Sequence, residues 1–197
     1  MELERLLAGV AVTECHADPT MQIPSIVSDS RRASAGCMFL CLRGVRTDGH
    51  RFIPQAKERG AAVIVIDDEN YAPQNLPYVL VENTRVAAAQ IWNNYYGDPT
   101  KDMRVIAITG TNGKTSSTLL LKHVLEQVQG AKVGLMGTME NMIGQERIPT
   151  ERTTPESFDL QALFGRMRDA GCSHVVMEVS SHAVTLERIG GTHFDIA

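Results

Sequence analysis

Residues 105–118, VIAITGTNGKTSST, decide how the rest of the chain is read. The apolar run Val105–Thr109 reads as a strand, Gly110-Thr111-Asn112-Gly113 as a tight turn, and Lys114–Gln127 as a helix. Strand, glycine turn, Lys-Thr and helix are the layout of a phosphate-binding loop. Gly110 and Gly113 let the backbone turn tightly, so that successive N–H groups can point at phosphate oxygens. The helix N-terminus adds partial positive charge at the same place. Lys114 can then reach β- and γ-phosphates, and the Thr115 hydroxyl is placed to ligate Mg²⁺. The usual spacing of such loops would put a glycine at position 108, which is Ile108 here, so this is a shortened G-T-N-G-K-T form. Its plain structural alternative is a strand–turn–helix joint with an exposed lysine.

On both sides of the loop, strands and helices alternate. Before it, Glu2–Val10 carries a short helical apolar pattern, Ser25–Ser28 and Met38–Leu42 read as short strands, and His50–Gly60 reads as a helix. Ala61–Ile66 and Tyr78–Val81 are buried-strand patterns, and Asn83-Thr84 is a cap for a helix over Arg85–Tyr96. Gly97-Asp98-Pro99-Thr100 is a strong breaker, which divides the chain into domains at 1–98 and 99–197. Beyond the loop lie a strand over Lys132–Met136 and a loop with a short hairpin over Gly137–Arg152. A helix over Pro155–Ala170, a strand over His174–Val179 and a last strand over His193–Ala197 complete the pattern. The fold class is therefore α/β: a small α/β N-terminal domain, then a P-loop domain with a mainly parallel sheet and ligands at the strands' carboxyl ends.

At 197 residues, 43% hydrophobic and 21% charged, the composition is that of a globular protein with ample core. The net charge of −4 leaves no basic footprint for nucleic acid. No apolar run approaches membrane-spanning length, and the N-terminus lacks a basic leader before an apolar stretch, so a cytoplasmic protein is expected. Cys15, Cys37, Cys41 and Cys172 show no paired spacing and read as reduced, buried thiols. The histidines form no H-x-x-x-H pair, so zinc is not indicated.

Several further segments carry a resemblance: Val27-Ser28-Asp29-Ser30-Arg31, Leu42-Arg43-Gly44 leading to Thr47-Asp48-Gly49-His50, Thr153-Thr154-Pro155, and Met177-Glu178-Val179-Ser180-Ser181-His182-Ala183 with Arg188 after it. With the shortened phosphate loop, these resemble the MurE family of Mur ligases, which join a diamino acid to UDP-N-acetylmuramoyl-dipeptide. The resemblance implies ATP binding by Gly110, Thr111, Asn112, Gly113, Lys114, Thr115 and Ser116, with Lys114 and Glu178 catalytic and Thr115 and Glu178 holding Mg²⁺. A hydroxyl and a carboxylate are hard oxygen ligands suited to that ion. Glu178 ends a strand with Met177 and Val179 on the opposite face, so its side chain must leave the apolar layer; otherwise it is an exposed strand-end acid.

The resemblance further implies that Ser28, Ser30, Val45, Arg46 and Thr47 hold the UDP part of the substrate. Thr153, Thr154, Ser180 and Arg188 would hold its muramoyl-peptide part. By residue type alone, Thr153 and Thr154 would cap a helix with Pro155 in its first turn, and Asp29-Ser30-Arg31 would be an exposed turn. Arg188 suits a carboxylate because its planar fork binds both oxygens. Leu186 departs from the glutamine some family members carry there. His182, in a Ser-Ser-His run that orients no triad, reads as structural.

The implied reaction is ATP-dependent amide formation on UDP-MurNAc-L-Ala-D-Glu through an acyl phosphate, with meso-diaminopimelate or L-lysine as the amine, by a monomer. The C-terminal domain that selects the amino acid is expected beyond Ala197, so the chain reads as an incomplete ligase. Two other classes stay open. One is a module that binds nucleotide and UDP-substrate without turnover; the other is a ligase such as folylpolyglutamate synthetase, which would have no use for Ser28–Arg31 and the first domain.

Overall fold

β4 (Val63–Ile66) lies at the centre of the first of two sheets. Its four β-branched side chains, with no polar one among them, suit burial on both faces, and all four are fully buried. The structure, a computed structural model, describes residues 1–44 and 47–197 and divides into two units, Met1–Tyr95 and Tyr96–Ala197. Among the described residues no helix is long and apolar enough to cross a membrane.

In the first unit β2 (Ile26–Val27), β3 (Met38–Leu40), β4 and β5 (Tyr78–Val81) run parallel, in that order across the sheet. Cys37, Phe39 and Cys41 share one face and pack with Ile53 and Ala56 of α2 (Ile53–Glu58). The helical pattern from His50 opens as a 3-10 turn, Gly49–Phe52, and becomes α-helical only at Ile53. α1 (Leu3–Leu6) packs on α3 (Thr84–Tyr95), where Asn94 Nδ2 donates to the carbonyls of Leu6 and Ala8. The Asn83 side chain accepts from the N–H groups of Arg85 and Val86 and caps α3.

One strand has no counterpart in the sequence reading. β1 (Val12–His16) adds antiparallel to the edge of β5, although Val-Thr-Glu-Cys-His is mostly exposed and carries no apolar alternation. Main-chain pairing, not burial, makes it a strand. Cys15 on this strand is exposed, against the expectation for all four thiols; Cys37, Cys41 and Cys172 are buried, and burial pushes the Cys41 thiol well up.

A polar cluster joins Arg43, Asp48, His50, Asp67 and Asp68. The His50 side chain is fully buried, with Nδ1 2.6 Å from Asp48 Oδ1 and Nε2 3.3 Å from the Asp67 N–H. Since that N–H must donate to Nε2, the proton of a neutral ring sits on Nδ1 and points at Asp48. Arg43 spans Asp48, Asp67 and Asp68 at 3.2, 2.8 and 3.3 Å. Gly49 passes so close to Leu42 that a Cβ would lie 2.7 Å from the Leu42 nitrogen.

The second sheet runs β6 (Arg104–Ile108), β10 (His174–Glu178), β7 (Val133–Met136), β8 (Asn141–Ile143), β9 (Glu146–Ile148). The first three strands are parallel, and β8–β9 is the expected hairpin, added antiparallel. α4 (Lys114–Gln129) covers one face through Leu125 and Leu121, against Ile106, Leu135 and Val176. α5 (Ser157–Asp169) covers the other through Leu160, Leu163, Phe164 and Met167, against Val105, Val175 and Met177. β10 thus alternates: even positions face α4 and odd ones face α5. The final segment is not a strand. It makes a single bridge, Ile106 to Ile196, with Asp195 bonded to the Val105 N–H.

These two cores can each be probed. Burial pushes the Asp67 carboxyl up, but bonds from the Thr84 N–H, Arg43 and the Thr84 hydroxyl outweigh it and hold the group below its ordinary range. A depressed folded-state value means stability that is complete above the unfolded-chain value and lost as pH falls through the folded one. Asp67→Asn should therefore lower stability at pH 7 and weaken the acid-driven loss below about pH 4. Denaturation curves from pH 7 to pH 2 check this, and parallel profiles for parent and variant would count against it. In the second unit, Phe164→Ala empties a fully buried position and should cost about 3–5 kcal/mol in urea titration. A loss below about 1 kcal/mol would mean that α5 does not pack as described.

Candidate functional site

The parallel pairing sets the site. β10 aligns Glu178 with Ile108 of β6 and Met177 with Met136 of β7, so the carboxyl ends of three strands coincide. The segments leaving these ends are therefore brought together: the glycine turn after β6, Gly137-Thr138 after β7, and Val179-Ser180 after β10. Ligands of open parallel sheets bind at this end.

Period two along β10 puts Glu178 on the same face as Val176, the face that carries α4. Its side chain accordingly meets the first turn of that helix. The Thr115 hydroxyl donates to Glu178 Oε2 at 3.1 Å, so the two residues read as metal ligands do converge. Glu178 is not an exposed strand-end acid; it is 0% exposed. A buried carboxylate survives only if donors replace its water. Here Thr138 supplies its N–H to Oε1 at 2.9 Å and its hydroxyl to Oε2 at 3.0 Å.

The loop between β6 and α4 has the backbone its glycines imply. Gly110 has φ +141 and Gly113 has φ +81, the second as the residue that opens α4. No atom would lie within 4 Å of a Cβ on Gly113, so its glycine answers the backbone angle and not crowding. Lys114 Nζ folds over the loop, donating to the Gly110 carbonyl at 2.6 Å. Thr111, Asn112 and Ser116 lie around it, all three exposed. The loop, the helix N-terminus and the lysine thus line one edge of the sheet, the arrangement that phosphate binding requires.

The threonine pair is close by but does not cap a helix. Pro155 precedes α5, whose N-cap is Glu156, so the expectation of a first-turn proline is corrected. The physical reason is a stronger claim on Thr154. Its side-chain oxygen donates to the Glu178 carbonyl at 3.0 Å and accepts from the Ser180 N–H at 3.1 Å, with Ser180 Oγ 3.4 Å away. Thr153 turns the other way, its hydroxyl 3.0 Å from that of Thr138. Ser180 also caps α6 (Ser181–Thr185) through the Ala183 N–H, and His182 is exposed on that helix. Arg188 reaches back to the Thr154 carbonyl at 3.3 Å and pairs with Glu156 at 2.8 Å. The fork read as a carboxylate binder is thus engaged by a carboxylate of the chain itself, while its Nε is buried with no partner among the described residues.

In the first unit, Ser28 is exposed, whereas the buried Ser30 donates to Gln55 Oε1 at 2.5 Å. Asp29 caps the Ser30–Arg32 turn, and hydrogen bonds from Arg31 hold its carboxyl down at about 2. Thr47 is exposed, and its carbonyl accepts from the Gly44 N–H at 2.8 Å. The turn with Ser30 and the turn after Asp48 both pack on α2. Val45 and Arg46 lie outside the described residues.

Sequence reasoning missed Thr138, Gly137 and Glu156. Each is an ordinary residue type without periodicity, and its partner lies many positions away. The available signal was Gly-Thr following a buried strand, as Gly-Thr also follows β6 within the phosphate loop.

As for a metal, Thr115 Oγ and Glu178 Oε2 are hard oxygens at hydrogen-bond distance. Among the described residues no group of three or more His, Cys, Asp or Glu side chains gathers. Two hard donors beside a phosphate loop fit Mg²⁺, which keeps water and takes phosphate oxygens for its other positions, and do not fit an all-protein cage.

The chain matches the Mur ligase family, catalytic domain, over residues 22–96 and the Mur ligase middle domain over residues 108–197. It is 46% identical to the UDP-N-acetylmuramoyl-L-alanyl-D-glutamate–2,6-diaminopimelate ligase of Caldanaerobacter subterraneus and 41% identical to that of Alkaliphilus metalliredigens. In both cases the match takes in 100% of this chain but 40% of the relative, so the chain spans about two fifths of their length. Among solved structures, a ligase of the same name superposes with TM-score 0.82 at 24% identity, over 100% of this chain and 39% of the other. The MurF ligase of Acinetobacter baumannii superposes with TM-score 0.61 at 23% identity, over 91% of this chain and 36% of the other. With both domain matches in sequence order and each on its own sheet, the chain belongs to the Mur ligase family.

Proposed function

We propose that this chain carries the UDP-substrate-binding and ATP-binding parts of a ligase that adds a diamino acid to UDP-MurNAc-L-Ala-D-Glu. The names of the relatives favour 2,6-diaminopimelate as the amine. The observation that carries the reading is the meeting of Thr115, next to Lys114 in the glycine loop, with Glu178 at one sheet end, where the Glu178 carbonyl holds Thr154 and Thr138 links the Glu178 carboxylate to Thr153. The reaction is amide formation in two steps. The D-glutamyl γ-carboxylate attacks the γ-phosphorus of ATP and ADP leaves; the amine then attacks the acyl phosphate and inorganic phosphate leaves.

The chain's own residues serve the first step by binding and orienting. Backbone N–H groups of Gly110–Gly113 and the α4 N-terminus receive phosphate oxygens, and Lys114 neutralises charge on the transferring group. Thr115 and Glu178 would hold Mg²⁺, which supplies further charge neutralisation across the phosphates when bound. Thr153, Thr154, Ser180 and Arg188 are assigned to the muramoyl-peptide, and Ser28, Ser30, Val45, Arg46 and Thr47 to the UDP part. The assignment to the cytoplasm, to a monomer and to no nucleic-acid partner belongs to the same proposal, and the net charge of −4 supports the last of these.

Binding measurements test it. Lys114→Ala should weaken ATP binding by about 2 kcal/mol or more, because a charge-assisted contact is lost, and leave affinity for UDP-MurNAc-L-Ala-D-Glu near the parent's. Calorimetry with each ligand separates the two, and an ATP affinity unchanged by the substitution would remove Lys114 from the site.

A further inference from the structure

Glu178 is held by more than the nucleotide side requires. Its Oε2 receives the Thr115 hydroxyl from α4 and the Thr138 hydroxyl from the β7 end, while Oε1 receives the Thr138 N–H. One residue therefore grips both oxygens of the carboxylate and fixes the rotation of its plane. Gly137 makes this possible, since a Cβ there would lie 2.7 Å from Oε1. A threonine hydroxyl carries one proton and two lone pairs. With the Thr138 proton directed at Oε2, its lone pairs are open to the Thr153 hydroxyl, 3.0 Å away. A chain of hydroxyls then runs from Thr115 through the carboxylate and Thr138 to Thr153. Hydrogen bonds in series polarise one another, so a change at one end alters the strength of the other.

We propose that Thr138 is a positioning residue. It sets the Glu178 carboxylate for the Mg²⁺–nucleotide and, through Thr153, couples that site to the one for the UDP-muramoyl-peptide. The inference rests on the proposed function and deepens it, because it makes the two binding events interdependent. A carboxylate that shares its charge with Mg²⁺ would hold the Thr138 proton less strongly, and the Thr138 oxygen would then accept less strongly from the Thr153 hydroxyl. By linkage the effect is reciprocal: substrate bound at Thr153 changes the Mg²⁺-dependent affinity for nucleotide by the same factor.

The test uses the full chain, with ADP in MgCl₂, ADP in EDTA, and UDP-MurNAc-L-Ala-D-Glu as probes in calorimetry. Thr138→Val keeps the shape and the N–H but removes the hydroxyl. It should reduce the Mg²⁺-dependent gain in ADP affinity by about three- to tenfold, the worth of one such hydrogen bond, and bring the coupling between ADP–Mg²⁺ and UDP-substrate close to one. Thr138→Ser, which restores the hydroxyl, should recover both. Thr153→Val breaks the series at its far end and should lower the coupling likewise, which keeps the test decisive if Thr138→Val melts early. Parental gain and coupling in Thr138→Val, full coupling in Thr153→Val, or equal impairment of Thr138→Ser would each overturn the proposal. A parent chain that binds ADP no better with Mg²⁺ than without would instead overturn the functional reading on which it rests.

Discussion

A carboxylate with no solvent exposure sits where three parallel strands end, and the second unit is arranged around keeping it there. Removing a carboxylate from water costs several kcal/mol unless donors take the place of the solvent. Glu178 finds them on α4, through Thr115, and on the segment after β7, through Thr138. Its main-chain carbonyl holds Thr154 as well. The same residue that cannot be buried without partners therefore ties the phosphate loop, the β7 end and the threonine pair to one point. Its register with Ile108 and its place on the α4 face come from strand pairing and from the two-residue period of β10.

The first unit solves a related problem by different means. His50, buried between Asp48 and the Asp67 main chain, fixes the ring proton, and Arg43 draws three aspartates together beside it. Asp48 of the cluster directly follows Thr47, which is assigned to the UDP part of the substrate. In both units a polar network has members that hold one another in place. Such networks stabilise little in net terms, but they restrict geometry, and an orienting site requires restricted geometry.

Much of the fold was legible because burial imposes period. Ala61–Ile66, Val105–Thr109 and His174–Val179 read as strands, found at Val63–Ile66, Arg104–Ile108 and His174–Glu178, and Lys114 onward reads as a helix, because apolar side chains must face the cores they line. β1 was not legible, because an exposed strand held by main-chain pairing leaves no apolar pattern. The 193–197 segment read as a strand yet makes only one bridge. Pro155 misled in the same way: local preference placed it in the first turn of α5, while the bonds of Thr154 to the β10 end put the helix start at Glu156 and Ser157.

Local chemistry along the chain was enough to set the glycine turn, the lysine and threonine after it, and the acid at the end of an apolar strand. Backbone angle, helix start and strand period are properties of neighbouring residues, and each is written where it acts. The resemblance to the Mur ligases was carried in the same way, through motifs whose order along the chain suffices. Folding alone established that Thr115 and Glu178 touch, that Thr138 grips both carboxylate oxygens, and that Arg188 is held by Glu156. The contact between Thr115 and Glu178 spans 63 positions and that between Thr138 and Thr153 spans 15. Strand register closes those distances, and no local preference encodes a partner so far along the chain.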